Sequence, residues 1–295
     1  MTTARQAVDQ VLKDLADVRQ TVAPFPSCVV GSAVLAAYHE DLGTQGIITH
    51  FNDIDVFTSS ESYFMLMGAL MHRGYTVLEG YERTPARHLS RGFGGWKTNS
   101  LKLRHEALGF ELNIICKYEG REECDDLYSV LLSFDWSGLA MGYDEFGKFH
   151  DLREALHPGS VYKPHTTVNG KMTYIKDENP TLGMLPARAA TIGRGYMGEY
   201  IAARMFGRLA KLASRGHNMD EFAKQIVNGY KVLSTHYQGL QDAKHQALAS
   251  FYHDVTKLIE DKEWTKLLEA SNNLIGLGDG NDDQAQFAAD IAGLI

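Results

Sequence analysis

The chain has 295 residues, of which 44% are hydrophobic and 22% are charged, a composition typical of a folded globular protein and not of a disordered one. Its formal net charge of −8 argues against a general nucleic-acid coat protein, because such proteins neutralise phosphates with an excess of lysine and arginine. The start of the chain lacks the apolar core of a signal peptide, and the longest apolar run is too short to span a bilayer, so we expect a cytoplasmic protein without a membrane partner.

Helices and strands alternate in the first half of the chain. An amphipathic helix at residues 4–18 is followed by the short strand "SCVV", a helix with Ser32 as its expected N-cap and an end near Gly43, and the strand "THFNDIDVFTS". A capped helix, "SESYFMLMGALMHRGY", leads to a strand at "YTVLEGY" and to the strands "SLKLRH" and "FELNIICKY", which a turn at Gly109 joins. A short helix and a strand follow in "DLYSVLLSFDWSGLAMGYD". This order predicts an α+β fold with a mixed sheet.

The character of the sequence changes from about Leu185 onward. Helical periodicity recurs in four segments, "EYIAARMFGRLAKLAS", "MDEFAKQIVNGYKVLSTHY", "DAKHQALASFYHDVTKLIE" and "EWTKLLEASNNLI". We therefore predict two domains, a mixed-sheet domain at residues 1–183 and an all-helical C-terminal domain at residues 184–295.

Two aspartates, Asp53 and Asp55, occupy alternate positions of the otherwise apolar strand "FNDIDVF". Residues i and i+2 of a strand project from the same face, so the two carboxylates are expected side by side. A buried unpaired carboxylate is costly, which favours an open cleft with a compensating cation. Mg²⁺ suits such a pair, because it takes one or two carboxylates and completes its coordination with substrate phosphates.

The turn at Gly31 and Ser32 offers a site for those phosphates. A helix that begins there presents backbone N–H groups and the positive end of its dipole, and glycine allows a phosphate to approach closely. The sequence thus predicts a phosphate site and a cation site in one strand–helix–strand segment.

The segments "VVGSAVLAAY" and "NDIDVF" together resemble the nucleotidyltransferase fold of the DNA polymerase beta superfamily. The resemblance implies transfer of a nucleoside monophosphate from a nucleoside triphosphate to an acceptor hydroxyl, which an RNA or tRNA end, a protein or a small molecule would carry. It also implies that Asp53, Asp55 and a third carboxylate hold Mg²⁺ or Mn²⁺. The best candidate for the third carboxylate is Glu111, in "GFELNIIC", which would also take the proton of the attacking hydroxyl.

Asn113 leaves an alternative open, because it shares the face of Glu111. An amide at the third-acid position would supply no base. The alternative to an enzyme is therefore a catalytically silent nucleotidyltransferase scaffold that binds a nucleotide, RNA or a protein partner. The arrangement of "NIIC" followed by "SFDWSGLAMGYD" is similar to phage-encoded and abortive-infection nucleotidyltransferase-like proteins, which would place this chain in the cytoplasm of a host cell.

Basic residues concentrate in two stretches of this acidic chain. Residues 83–105 contain six basic residues and no acidic one, and residues 186–217 contain six basic residues and one acidic one. Two local patches favour a small polyanion over a long one, and a nucleoside triphosphate has that size.

Five residues of these patches are candidate substrate ligands. In the first patch, Arg91 and Lys97 flank a glycine-rich segment that is expected to close over a substrate. In the second, three residues at helical spacing share one helix face, which would bind a triphosphate or an RNA acceptor; the alternative is that this face is merely solvated. These three residues are Arg204, Arg208 and Lys211.

Overall fold

A computed structural model describes residues 2–22, 24–78, 96–119, 122–123, 125–153, 199–239 and 243–278. The chain divides into two compact units. The first comprises Met1–Phe134 and Gly138–Leu156, and the second comprises Asp135–Ser137 and His157–Ile295. The predicted domain boundary between residues 183 and 184 lies outside the described residues and stays a prediction.

The described part of the first unit contains four helices and eight strands. In chain order they are α1 (Ala4–Thr21), β1 (Ser27–Val30), α2 (Ser32–Leu42), β2 (Asp53–Thr58), α3 (Ser60–Met71), β3 (Tyr75–Val77), β4 (Trp96–His105), β5 (Glu111–Glu119), β6 (Glu122–Glu123), α4 (Leu127–Leu132), β7 (Met141–Tyr143) and β8 (Phe149–Asp151). The eight strands form one sheet in the order β3-β4-β5-β2-β1-β7-β8, with β6 paired to β5.

The sheet is mixed, as the order of elements predicted. Strands β2 and β5 run parallel, and every other described pair is antiparallel. Parallel neighbours need a crossover connection, and the chain between β2 and β5 supplies it with α3 and the strands β3 and β4. Sheet and helices together give the α+β fold that the sequence predicted.

Side-chain alternation along β2 fixes which face of the sheet is polar. Ile54 and Val56 are fully buried, whereas Asp53 and Asp55 are half-buried on the opposite face. The same alternation continues in β5, where Leu112 is buried. The apolar face packs into the core, so the pattern that the sequence predicted for the two aspartates is confirmed.

The start of α2 differs from the prediction that Ser32 caps it. The N-cap is Gly31, which has φ +90° and ψ −163° and makes no side-chain cap hydrogen bond, and Ser32 is the first helical residue. That backbone conformation is almost exclusive to glycine, which explains why the helix begins one residue earlier than a serine cap would place it. The end of α2 is as predicted, with Gly43 in the left-handed conformation.

Four helices make up the described part of the second unit and match the four predicted helical segments. They are α5 (Glu199–Ala213), α6 (Asp220–Gln238), α7 (Ala243–Glu260) and α8 (Trp264–Gly278). Their apolar stripes form a core in which Tyr230 of α6 packs against Tyr252 of α7, with ring centroids 5.0 Å apart. Across the helices that the structure describes, none combines the length and the apolar character that crossing a bilayer requires.

Candidate functional site

Three neighbouring strands bring charged and amide side chains onto the polar face of the sheet. The parallel register sets Asp53 opposite Glu111 and Asp55 opposite Asn113. The antiparallel register of β4 on β5 then sets Arg104 opposite Glu111 and Lys102 opposite Asn113. Directly opposite residues point to the same side of a sheet, so six side chains form a grid of two rows. We call this grid the polar face; it consists of Asp53, Asp55, Lys102, Arg104, Glu111 and Asn113.

Asn113 lies between the two aspartates. Its Nδ2 donates hydrogen bonds of 2.7 Å to Oδ2 of Asp53 and 3.0 Å to Oδ1 of Asp55. Its Oδ1 is buried and has no hydrogen-bond partner among the described residues. A buried amide oxygen without a partner is costly, and Oδ1 lies on the other arm of the amide from the Nδ2 that contacts both carboxylates.

Lys102 neutralises part of the negative charge on the polar face. Its Nζ lies 2.9 Å from Oε2 of Glu111 and 3.8 Å from Oδ2 of Asp53. The three side chains are between 23% and 33% exposed, which places the ammonium group at a partly solvated position between two carboxylates. Charge-assisted contacts at such a position are stronger than those of fully exposed pairs.

Gly31 and Asp55 approach each other closely. A Cβ atom at position 31 would lie 2.5 Å from Oδ2 of Asp55 and 3.4 Å from its Cγ, so only glycine leaves room for this carboxylate. Val30 pairs directly with Asp55 across the strands β1 and β2, and this pairing holds the N-terminus of α2 against the aspartate. The first N–H groups of a helix lack partners within the helix and carry partial positive charge. The helix N-terminus therefore opens onto the same edge of the polar face as Asp55.

The carboxylates of the polar face do not form a closed metal cage. Within the ranges that the structure describes, no three histidine, cysteine, aspartate or glutamate side chains gather as a metal site. What the polar face offers instead is the pair Asp53 and Asp55 beside the amide of Asn113. The role predicted for Glu111 as a metal ligand and base stays a prediction, and its carboxylate contacts Lys102 in the structure.

The structure describes the side chains of only some of the predicted basic substrate ligands. Arg91 lies outside the described residues, and Lys97 and Arg204 are described in their backbone alone, on β4 and α5. Arg208 forms an ion pair with Asp135, whose Oδ2 lies 3.1 Å from its Nε, and this pair lies within the second unit. Lys211 lies near the end of α5. Their roles in substrate binding stay predictions.

Lys102 and Arg104 are the residues of the polar face that the sequence did not assign to the site. The signal was present in "SLKLRH", where Lys102 and Arg104 alternate with leucines, followed by a hairpin turn at Gly109. Counting back across that turn sets Lys102 opposite Asn113.

Comparisons with known proteins give only a distant structural likeness. No protein-family model matches the sequence, and no curated protein matches it. A solved structure of a CCA-adding enzyme in an apo form is similar to the chain with a TM-score of 0.32 and 10% sequence identity. The similarity covers 93% of this chain and 59% of that enzyme, so the chain spans less than two thirds of its length.

Proposed function

We propose that the chain is a nucleotidyltransferase that binds a nucleoside triphosphate and a divalent cation, Mg²⁺ or Mn²⁺, at the polar face. The observation that carries the proposal is the close approach of Asp55 to Gly31. It sets a carboxylate beside the N-terminus of α2, an anion-binding element, where β1 ends. A phosphate and a carboxylate repel each other at the same helix end, and a cation between them turns the repulsion into attraction.

The donor set of the polar face fits one hard divalent cation. Asp53 and Asp55 supply two carboxylates, and the amide of Asn113, whose Nδ2 faces both of them, would supply an oxygen ligand once turned over. Mg²⁺ is commonly held by one or two carboxylates together with substrate phosphates, and it prefers such oxygen ligands. A bound cation would neutralise the charge that builds up on the phosphates during transfer.

The proposed reaction forms one bond and breaks one. The oxygen of an acceptor hydroxyl bonds to the α-phosphorus, the bond from that phosphorus to the bridging oxygen breaks, and pyrophosphate leaves. The proton of the hydroxyl passes to Glu111, which is one-third exposed and lies directly opposite Asp53 on the neighbouring strand. The chain contributes chiefly by orienting the triphosphate, with Gly31 and Ser32 at its phosphates.

A labelling experiment tests the proposal. The full chain is incubated with each of the four α-³²P-labelled ribonucleoside triphosphates, Mg²⁺ and a cell extract, and RNA, protein and small-molecule fractions are counted. We expect label in one fraction with the wild type, and none with Asp53→Asn or Asp55→Asn, which keep the side-chain volume and lose the charge. Asp261→Asn, at an exposed turn between α7 and α8, is the matched control and should label as the wild type does.

Two outcomes would contradict the proposal in different ways. Retention of full labelling by Asp55→Asn would show that the polar face is not the site. Absence of any triphosphate binding in equilibrium dialysis would show that the chain does not act on nucleotides.

A second candidate function has its own support, namely a scaffold that binds a nucleotide, RNA or a protein partner without transferring a nucleotide. Asn113 lies between the aspartates, where a third acid would complete a two-cation site, and Glu111 is paired with Lys102. Both features lower the number of carboxylates available for catalysis. Saturable triphosphate binding together with no labelled acceptor in any fraction would favour this scaffold over the enzyme.

A further inference from the structure

The ammonium group of Lys102 lies where a site for a polyphosphate would be expected to hold a second cation. In two-cation phosphoryl-transfer sites the ions sit roughly 3.5–4 Å apart and share carboxylate ligands. On the polar face, Asp53 and Glu111 are directly opposite each other on the parallel strands and would hold the second ion, with Asp53 shared between the two. The ammonium group of Lys102 is already between them, 3.8 Å from one carboxylate oxygen and 2.9 Å from the other.

The pair Asp53 and Asp55 is arranged differently. Their bridge is the neutral amide of Asn113, whose Nδ2 contacts both carboxylates. An amide adds no charge that would repel a divalent cation, and it can turn its oxygen toward one. An ammonium group cannot do so, because it carries three donors and no acceptor. The pair Asp53 and Asp55 can therefore take a metal ion, whereas the ammonium group excludes one from the pair Asp53 and Glu111.

We infer that the ammonium group of Lys102 takes the place of a second divalent cation, between Asp53 and Glu111, so that one cation and not two binds with the triphosphate. This inference rests on the proposed function. The cation enters beside Asp53 and Asp55, next to the N-terminus of α2. Lys102 is a positioning residue that holds Glu111. Its fixed positive charge acts on the phosphates from the Glu111 side of the polar face, and the cation acts from the Asp55 side.

A count of bound Mn²⁺ tests the inference without relying on activity. The full chain is saturated with the α,β-methylene analogues of ATP, GTP, CTP and UTP in turn and titrated with Mn²⁺, while free Mn²⁺ is followed by electron paramagnetic resonance. We expect one bound Mn²⁺ per chain for the wild type and for Lys102→Arg, which keeps the charge. Lys102→Met should bind two, because loss of the ammonium group frees Glu111 opposite Asp53. Its affinity for the analogue at limiting Mn²⁺ should fall about tenfold, the expected loss for one charge-assisted contact.

Two further variants make the count specific. Lys102→Met combined with Glu111→Gln should return to one bound Mn²⁺, because the second carboxylate of the new site is lost. Lys13→Met, on the exposed side of α1, is the matched control and should bind Mn²⁺ as the wild type does. Circular dichroism confirms that each variant is folded, and Lys102→Gln replaces Lys102→Met if the latter is not.

The inference and the proposed function fail in distinguishable ways. Two bound Mn²⁺ in the wild type, or one in the folded Lys102→Met variant, overturns the inference and leaves the proposed function in place. Failure of all four analogues to bind the wild type overturns the proposed function, and the inference with it.

Discussion

The phenol of Tyr75 donates a 2.8 Å hydrogen bond to Oδ2 of Asp14, a carboxylate that is only 5% exposed and that lies 61 positions earlier in the chain. The other carboxylate oxygen accepts a 2.9 Å hydrogen bond from Gln10. Burial raises the pKa of Tyr75, and the neighbouring charge of Asp14 raises it further, so the phenol stays protonated and remains a donor. The bond ties α1 to the edge strand β3 inside the core.

Removal of this donor should destabilise the first unit. We expect Tyr75→Phe to lower the free energy of unfolding by about 1–3 kcal/mol, because a buried carboxylate oxygen loses its partner while the ring packing is kept. Urea unfolding followed by circular dichroism measures the change. Phe146→Leu, at a side chain that is 84% exposed, is the control and should change stability by less than about 0.5 kcal/mol. Equal changes in the free energy of unfolding for the two variants would show that the buried hydrogen bond between Tyr75 and Asp14 does not stabilise the fold.

Gly31 and Gly43 allow a matched test of the phosphate site, because both have positive φ and they bound the same helix. Alanine should cost about 1–2 kcal/mol of stability at Gly43, which is left-handed, and about 1–3 kcal/mol at Gly31, whose conformation is nearly exclusive to glycine. Only Gly31→Ala adds a Cβ atom against the Asp55 carboxylate, because no atom lies within 4 Å of the corresponding position at Gly43.

We therefore expect Gly31→Ala to weaken triphosphate binding in equilibrium dialysis by at least about tenfold, the equivalent of 1.4 kcal/mol. Gly43→Ala should leave binding unchanged at a temperature where both variants are folded. Equal triphosphate affinities of the two variants would show that the N-terminus of α2 is not part of the nucleotide site.

Much of the fold was predictable because its signals are local. The end of α2 at Gly43, the turn at Gly109 and the helical stripes of the second unit each follow from a few neighbouring residues. The N-cap of α2 was predicted one residue too late, because serine is the commoner cap in sequence terms. The backbone conformation that requires Gly31 is decided by its contact with Asp55, which is distant in the chain.

The candidate site was predictable in part for a related reason. Asp53 and Asp55 share a face by strand geometry alone, and Lys102 could have been set opposite Asn113 by counting across a short hairpin. The pairing of β2 with β5 has no such short connection, since a helix and two strands intervene. Its register depends on tertiary packing, so whether Glu111 or Asn113 contacts the aspartates was left open until the structure placed the amide between them.

The hairpin of β7 and β8 should weaken in acid because of Asp144. Burial by itself would raise the pKa of this carboxyl group, but hydrogen bonds from His150 and from the backbone amides of Lys148 and Phe146 hold the pKa below its ordinary value. A folded-state pKa below the unfolded value of about 3.9 stabilises the fold above that pH, and the contribution is lost as the pH falls through the folded pKa.

Urea unfolding of the wild type and Asp144→Asn across this range tests the expectation. The stability advantage of the wild type that is present at about pH 5 should shrink below about pH 4. An advantage that persists undiminished in strong acid would contradict the assignment of the pKa shift to these hydrogen bonds.

Gly207 and Gly68 are helical glycines whose surroundings predict opposite effects of alanine. A Cβ atom at Gly207 of α5 would lie 2.0 Å from Oγ and 2.8 Å from Cβ of Ser271 on α8, so the two helices pack in direct contact there. At Gly68 of α3 nothing lies within 4 Å of the corresponding position. Gly207→Ala should therefore destabilise the chain by about 1–3 kcal/mol through overpacking. Gly68→Ala should stabilise it by about 0.5–1 kcal/mol, because alanine loses less backbone entropy in a helix. Thermal unfolding of both variants measures the two changes, and a Gly207→Ala variant as stable as the wild type would contradict the close packing of α5 against α8.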